Sequence, residues 1–283
     1  MSKAPISSLP PQPLAVAHKP ATLAVGRAVR PTVVAYHELT PELTDYSYAL
    51  TCQNFEEHLQ VSAELTSNSS GGQSPLVFSF DDGHISNYVM ALPLLQKYSC
   101  KALFFVIGSR MGEHKDFMTW AHLRELVALG HRVEAHGWSH TFLTRCSDDD
   151  LRTELVRTRE VLEDRLGAPV AALSAPHGRW NRRVLGACAA AGYRQLFDSN
   201  PWPARRKLDK MEVVGRLIAV QSLDSSRLLR WMTMGRAEAG LRRGQQAVKR
   251  SARHLLGDNL YYQLWARFSG WTGPDDAKLN GGQ

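Results

Sequence analysis

Two short segments of this 283-residue chain hold residue types that can share a cation. The apolar run Leu76-Val77-Phe78-Ser79-Phe80 ends in Asp81-Asp82-Gly83-His84, so two adjacent carboxylates stand at the end of an expected buried strand. Like charges so close raise one pKa, and burial raises both, so the pair is costly unless a cation or solvent neutralises it. The alternative is a surface turn containing Asp-Asp-Gly. His136-Gly137-Trp138-Ser139-His140 sets two imidazoles four residues apart, which presents both to one ion if the segment turns helically. Two unrelated surface histidines would look the same. One carboxylate with two histidines is a facial ligand set for zinc or another first-row divalent ion, with positions left open for water and substrate.

Both segments follow apolar runs, and the pattern around them says what holds them. Strands are expected at Thr32–His37, Leu76–Phe80, Ala102–Ile107, Arg132–Ala135, Ala171–Ala175, Arg194–Asp198 and Val213–Val220. Helices lie between most of them. Ser147 followed by Asp148, Asp149 and Asp150 caps a helix over 148–166, in which Leu151, Leu155, Val161, Leu162 and Leu166 recur at helical spacing before Gly167. Thr119–Leu129 and Arg182–Ala191 end at Gly130 and Gly192, where left-handed caps would sit. This alternation implies parallel strands and crossover helices, and about seven units favour a distorted or incomplete (β/α) barrel over an open sheet. Chemistry in such folds collects at the carboxyl ends of strands. Those ends carry His37, Asp81 with Asp82, His136 with His140, and the segment Ser174 to Gly178.

Composition bounds the rest. Pro, Ala and Ser crowd residues 1–30, which are expected to be a poorly ordered leader. Neither a secretory signal pattern nor an apolar stretch long enough for a bilayer is found, so a cytoplasmic protein is expected. Cys52, Cys100, Cys146 and Cys188 lack Cys-x-x-Cys spacing and read as free thiols. Between Arg227 and His254 there are eight basic residues against one acid, which accounts for the formal charge of +7. Such a run is either a solvated helix face or a contact for an anionic surface. No zinc finger, ribonucleoprotein motif or Gly-rich phosphate loop accompanies it, which argues against nucleic acid.

Three motifs in order carry a family resemblance. Ser79-Phe80-Asp81-Asp82-Gly83 resembles the first motif of the polysaccharide deacetylases, carbohydrate esterase family four, and Gly130 to His140 resembles the second. Ala175-Pro176-His177-Gly178-Arg179-Trp180-Asn181 is similar to the Pro-aromatic-Gly motif that follows, and Val34-Ala35-Tyr36-His37 to the entry of many bacterial members. The resemblance covers about Thr32 to Val220. It implies a metal-dependent hydrolase that removes N-acetyl groups from sugars of a glycan or glycan precursor, with Asp81 as catalytic base and Asp82, His136 and His140 holding one divalent ion, zinc by preference. Water attacking the amide carbonyl needs a carboxylate that does not itself ligate the ion, which agrees with that division. Pro176, Gly178 and Trp202 are the expected substrate contacts, although Trp202 fits a core tryptophan equally.

Two departures from the family pattern stand out. Ser174 occupies the place of an arginine that often braces the catalytic aspartate, and a hydroxyl supplies no charge. The late Leu-x-His motif, whose histidine usually protonates the leaving amine, is not apparent after Val213; His177 is the nearest replacement acid, or else a residue of the pocket wall. These departures would suit a fold that has lost turnover and serves as a glycan-binding or assembly partner. A hydrolase of a non-sugar amide is a further alternative. The division expected along the chain is a barrel over 31–222, a basic and apolar helical extension over 223–271 and a flexible tail over 272–283. Mixed arginines and aromatics suit either a helix packed on the barrel or one lying peripherally on an anionic inner membrane face beside a lipid-linked glycan. Leu255-Leu256-Gly257-Asp258-Asn259-Leu260-Tyr261 resembles the extension of deacetylases from bacterial exopolysaccharide clusters.

Overall fold

The structure is a computed structural model and describes residues 29, 31–68, 74–112, 114–202, 204–235, 237–241 and 243–244. Thr32–Tyr36 forms β1, buried on both faces as its unbroken apolar content demands. A short parallel pair, β2 (Glu38–Thr40) and β3 (Ala49–Thr51), and helix α1 (Cys52–Ser67) precede β4 (Leu76–Phe80). The alternation then runs α2 (Leu92–Lys97), β5 (Ala102–Val106), α3 (Trp120–Ala128), β6 (Arg132–Ala135), α4 (Asp148–Leu166), β7 (Ala172–Ser174), α5 (Arg182–Ala190) and β8 (Gln195–Asp198). A hairpin of β9 (Arg205–Leu208) and β10 (Met211–Ile218) leads to α6 (Ser225–Thr233).

Seven strands, β1-β4-β5-β6-β7-β8-β10, are parallel neighbours, and β1 pairs with β10 to close the barrel. The barrel is therefore complete rather than open. Closure uses only half of β10: Arg216–Ile218 pair with β1, while β9 lies antiparallel along Met211–Val214. The expected strands are all present, most within one residue of the expected ends, while the last, expected at Val213–Val220, lies two residues earlier at Met211–Ile218. The pair β2–β3 and strand β9 were not expected, because three or four residues with no apolar alternation leave no period to detect.

Helix α4 shows how local signals set an element. The Ser147 side chain accepts from the Asp150 amide, three aspartates occupy the first turn, and Gly167 closes the end at φ 62°. Its buried face holds Leu151, Leu155 and Leu162, but also Glu154 and Thr158.

Alternation along the strands separates two apolar groups. Val34, Tyr36, Phe104, Val133 and Leu173 pack outward with helix residues such as Phe55, Leu59, Leu123 and Leu155. Val33, Leu103, Phe105, Ala172, Phe197 and Val214 form a smaller cluster inside the barrel. Continuing the inward period by two residues leads from Ala172 to Ser174 and from Val214 to Arg216. The polar layer of the interior starts there.

The start of the C-terminal extension packs on the barrel. Leu228, Leu229 and Met232 of α6 join the main core, and Ser225 Oγ donates to Glu57 Oε2 of α1 at 2.8 Å. Among the described residues no helix is long and apolar enough to cross a membrane. The leader at 1–28 and residues 245–283, with Leu255–Tyr261 among them, lie outside the described residues. All four cysteines are free, and burial pushes the Cys188 thiol up to about 12.

Candidate active site

Strand ends deliver the polar groups to one mouth of the barrel. His136 follows β6, and its Nδ1 lies 2.9 Å from the Ser174 carbonyl oxygen at the end of β7. A carbonyl only accepts, so Nδ1 carries a proton and Nε2 is the nitrogen left to face the aspartates. Asp82 follows β4 in a left-handed conformation, φ 70°, which swings its carboxylate toward that nitrogen. His140, also left-handed at φ 63°, brings its ring to 5.0 Å from that of His136.

These three side chains fit a metal ion. Asp82 Oδ1 lies 3.3 Å from His136 Nε2 and 3.4 Å from His140 Nε2, and the three ligand atoms all fall within 4.8 Å of one another. Donors about 2.1 Å from a tetrahedral zinc stand roughly 3.4 Å apart, close to the spacing found. Asp82 Oδ1 is moreover buried with no hydrogen-bond partner, a costly state for a carboxylate oxygen unless a cation meets it. Burial works to raise the Asp82 pKa, but the imidazoles of His136, His37 and His140 hold it far below the usual carboxylate range. Burial and the neighbouring His136 press His140 down to about 3, so it presents a neutral ring.

Asp81 turns the other way, into the barrel. Its Oδ1 and Oδ2 each accept from Arg216, through Nη1 and Nη2, at 2.7 Å, and Ser174 Oγ donates to Oδ2 at 3.2 Å. Arg216 is 1% exposed; it also meets Ser79 Oγ, Ser174 Oγ and the Asp198 carbonyl, and its guanidinium lies over the rings of Phe105 and Phe197. Burial opposes ionisation of Asp81, but Arg216 and His136 outweigh it and keep the carboxyl below its ordinary pKa. Asp81 is thus a buried, charged base, with Oδ2 3.9 Å from His136 Nε2.

The family model for polysaccharide deacetylase matches residues 68–196, a segment that holds both aspartates and both histidines. Over that segment the chain matches the polysaccharide deacetylase family. It is 29% identical over 147 residues to YxkH of Bacillus subtilis, which bears that family's name, and 28% identical over 131 residues to the peptidoglycan-N-acetylglucosamine deacetylase PgdA of Listeria monocytogenes. The aligned stretches span 52% and 46% of this chain, but 52% of YxkH and 27% of PgdA. The fold is shared with the Streptococcus pyogenes deacetylase PplD (TM-score 0.62, 20% identity, 72% of this chain and 99% of that one). IcaB from Ammonifex degensii is similar in fold as well (TM-score 0.59, 20% identity, 73% and 98%).

Against the deacetylase pattern, the structure resolves the departure at Ser174. The charge expected there is supplied instead by Arg216 from β10, outside the segment that the family model matches. Sequence reasoning missed it, although an arginine inside the apolar run Val213–Val220 is itself a signal: a buried strand retains such a charge only with a buried acid to meet it. His37 was noted at its strand end but given no role. Tyr36 pairs with Phe80 across β1 and β4, and the Asp81 amide donates to the Tyr36 carbonyl, so His37 emerges beside the aspartates. Asn87 Nδ2 donates to the His37 carbonyl at 2.7 Å, and the buried His37 Nδ1 has no hydrogen-bond partner.

The remaining expected deacetylase residues divide. His177 stands on the rim, exposed, with Nε2 3.2 Å from the His140 carbonyl oxygen and its ring stacked on Phe142 at 4.0 Å. Pro176 is buried, and the amides of Gly178 and Arg179 are occupied by the carbonyls of Ala175 and Pro176, so neither is offered to an oxyanion. Trp202 is the core tryptophan of the two alternatives. It is 4% exposed, packed with Trp231 at 4.9 Å and with Met234 and Ala239, while the Arg243 guanidinium lies over its ring, so no face is left for a sugar.

Proposed function

We propose that this chain hydrolyses the N-acetyl group of an N-acetylated sugar in a glycan or glycan precursor. The observation that supports it most is the division of labour between adjacent aspartates: Asp82 faces two histidines, while Asp81 is held by Arg216 and left free of the ligand set. Asp82, His136 and His140 would hold a divalent ion, zinc by our reading, which would supply Lewis-acid polarisation of the amide carbonyl and acidify a water. Asp81 takes the proton of the attacking water, the task for which a charged, non-ligating carboxylate is suited. Arg216 keeps that carboxylate ionised and aimed. His37 is the proposed donor of the proton that the departing sugar amine requires, since the late Leu-x-His motif is not apparent after Val213; His177, 3.2 Å from the His140 carbonyl oxygen, is read as rim.

The reading of a fold without turnover rested on the missing arginine and the missing late histidine. Arg216 removes the first ground.

Acetate released from N-acetylglucosamine oligomers, measured with zinc added and with a chelator, tests the proposal. Release that needs the metal is expected. No release from any N-acetylated sugar, with hydrolysis of a small non-sugar amide instead, would transfer the site to another substrate class.

A further inference from the structure

The loop that carries both histidine ligands is held from below by one carboxylate that belongs to no motif. Glu154, on the buried face of α4 and 7% exposed, accepts three hydrogen bonds from that loop. Its Oε2 accepts from the amides of Trp138 at 2.7 Å and Ser139 at 3.0 Å, and its Oε1 from the Ser139 hydroxyl at 2.5 Å. Two successive amides pointing at one oxygen form an anion-binding turn, which the backbone of Gly137 at φ 74° and His140 at φ 63° permits. A Cβ at 137 would stand 3.1 Å from Glu154 Oε2 and 3.3 Å from Pro176, tight contacts on a backbone whose positive φ already favours glycine.

The other contacts of the loop clamp it without choosing its shape. The carbonyls of Gly137 and Trp138 accept from the amides of Gly108 and Ser109 at 3.0 Å, and Arg157 lies 3.9 Å from the Trp138 ring. The amides point the opposite way, into the helix, and only an acceptor there satisfies them. Without it the loop would turn those donors toward water, and rotation of the 138–139 backbone would carry His140 away from His136.

We propose that Glu154 is a positioning residue for metal binding: it sets the separation of His136 and His140 through the backbone between them. This rests on the metal-site reading above.

Cobalt(II) titration of the full chain, followed by visible absorption at a temperature where each protein is folded without metal, tests it. Glu154→Ala should weaken cobalt binding by about 10- to 100-fold, the range typical of groups that orient ligands. Glu154→Asp, which keeps the charge but draws the oxygens back, should weaken it as well. Glu154→Gln should recover most of the affinity, since its oxygen can take both amides and its NH2 can donate to the Ser139 hydroxyl. If Ala and Asp bind cobalt within twofold of wild type, or if Gln is as weak as Ala, the positioning role falls. Failure of the wild type itself to bind cobalt would remove the metal-site reading and this proposal together.

Discussion

Asp81 and Arg216, 135 residues apart in the chain, meet as a two-pronged ion pair inside the barrel, with both N–O distances 2.7 Å. Neither is exposed enough for water to stand in for the other, so each depends on its partner.

Replacing Arg216 by Met should therefore do two things. An uncompensated carboxylate in the barrel costs about 3–5 kcal/mol of stability, readable by denaturant titration. With the guanidinium gone, the largest influence holding the carboxyl down is lost and burial is opposed only by the neighbouring histidines, so the Asp81 pKa rises and the acid limb of the rate profile should move to higher pH. Arg216→Lys keeps the charge but loses the fork, and should fall between the two in rate. An unshifted acid limb in Arg216→Met would show that the arginine does not set the charge of the base.

Metal content should separate the two aspartates. His136→Ala and His140→Ala are expected to lose bound metal and activity together. Asp81→Asn should keep the metal while turnover slows by roughly 100-fold or more, as when a general base is removed. Equal metal loss in Asp81→Asn would exchange the roles assigned to Asp81 and Asp82.

His37 is testable through the leaving group. If it protonates the departing amine, His37→Gln should slow amide hydrolysis by about 100-fold or more. The same variant should leave hydrolysis of an aryl acetate near wild type, because a phenolate leaves without a proton. Equal losses on both substrates would point to binding or folding instead.

Acid stability should report a buried imidazole outside the site. His58 Nε2 meets the Leu223 carbonyl and Nδ1 meets the Tyr36 hydroxyl, both at 2.9 Å, so its neutral form donates from Nε2 and accepts at Nδ1. Burial lowers its pKa from 6.5 to about 4. Because the unfolded chain takes up this proton more readily than the folded one, stability is unaffected above pH 6.5 and falls as the pH drops from there toward 4. The loss from this residue is about 3 kcal/mol at the lower end. Melting temperatures of wild type and His58→Gln between pH 7 and 4 should converge on acidification, and parallel curves would refute the assignment.

Much of the scaffold was legible before any coordinates. The bounds of α4 followed from Ser147, three aspartates and Gly167, because capping is chemistry between residues a few positions apart. Apolar runs revealed the barrel strands, and alternation of strand with helix revealed their parallel order. The grouping of Asp82, His136 and His140 was readable too, since each stands just beyond a recognisable strand. What the sequence could not state was which distant residue completes each polar group. Arg216 braces Asp81, Glu154 holds the histidine loop, and Trp202 lies under Trp231 because of strand register and helix packing. Barrel closure was likewise decided by register, in the pairing of Arg216–Ile218 with β1 beside the half of β10 that β9 takes. Local spacing determines which way a side chain points along its own element; only the folded barrel determines what it meets there.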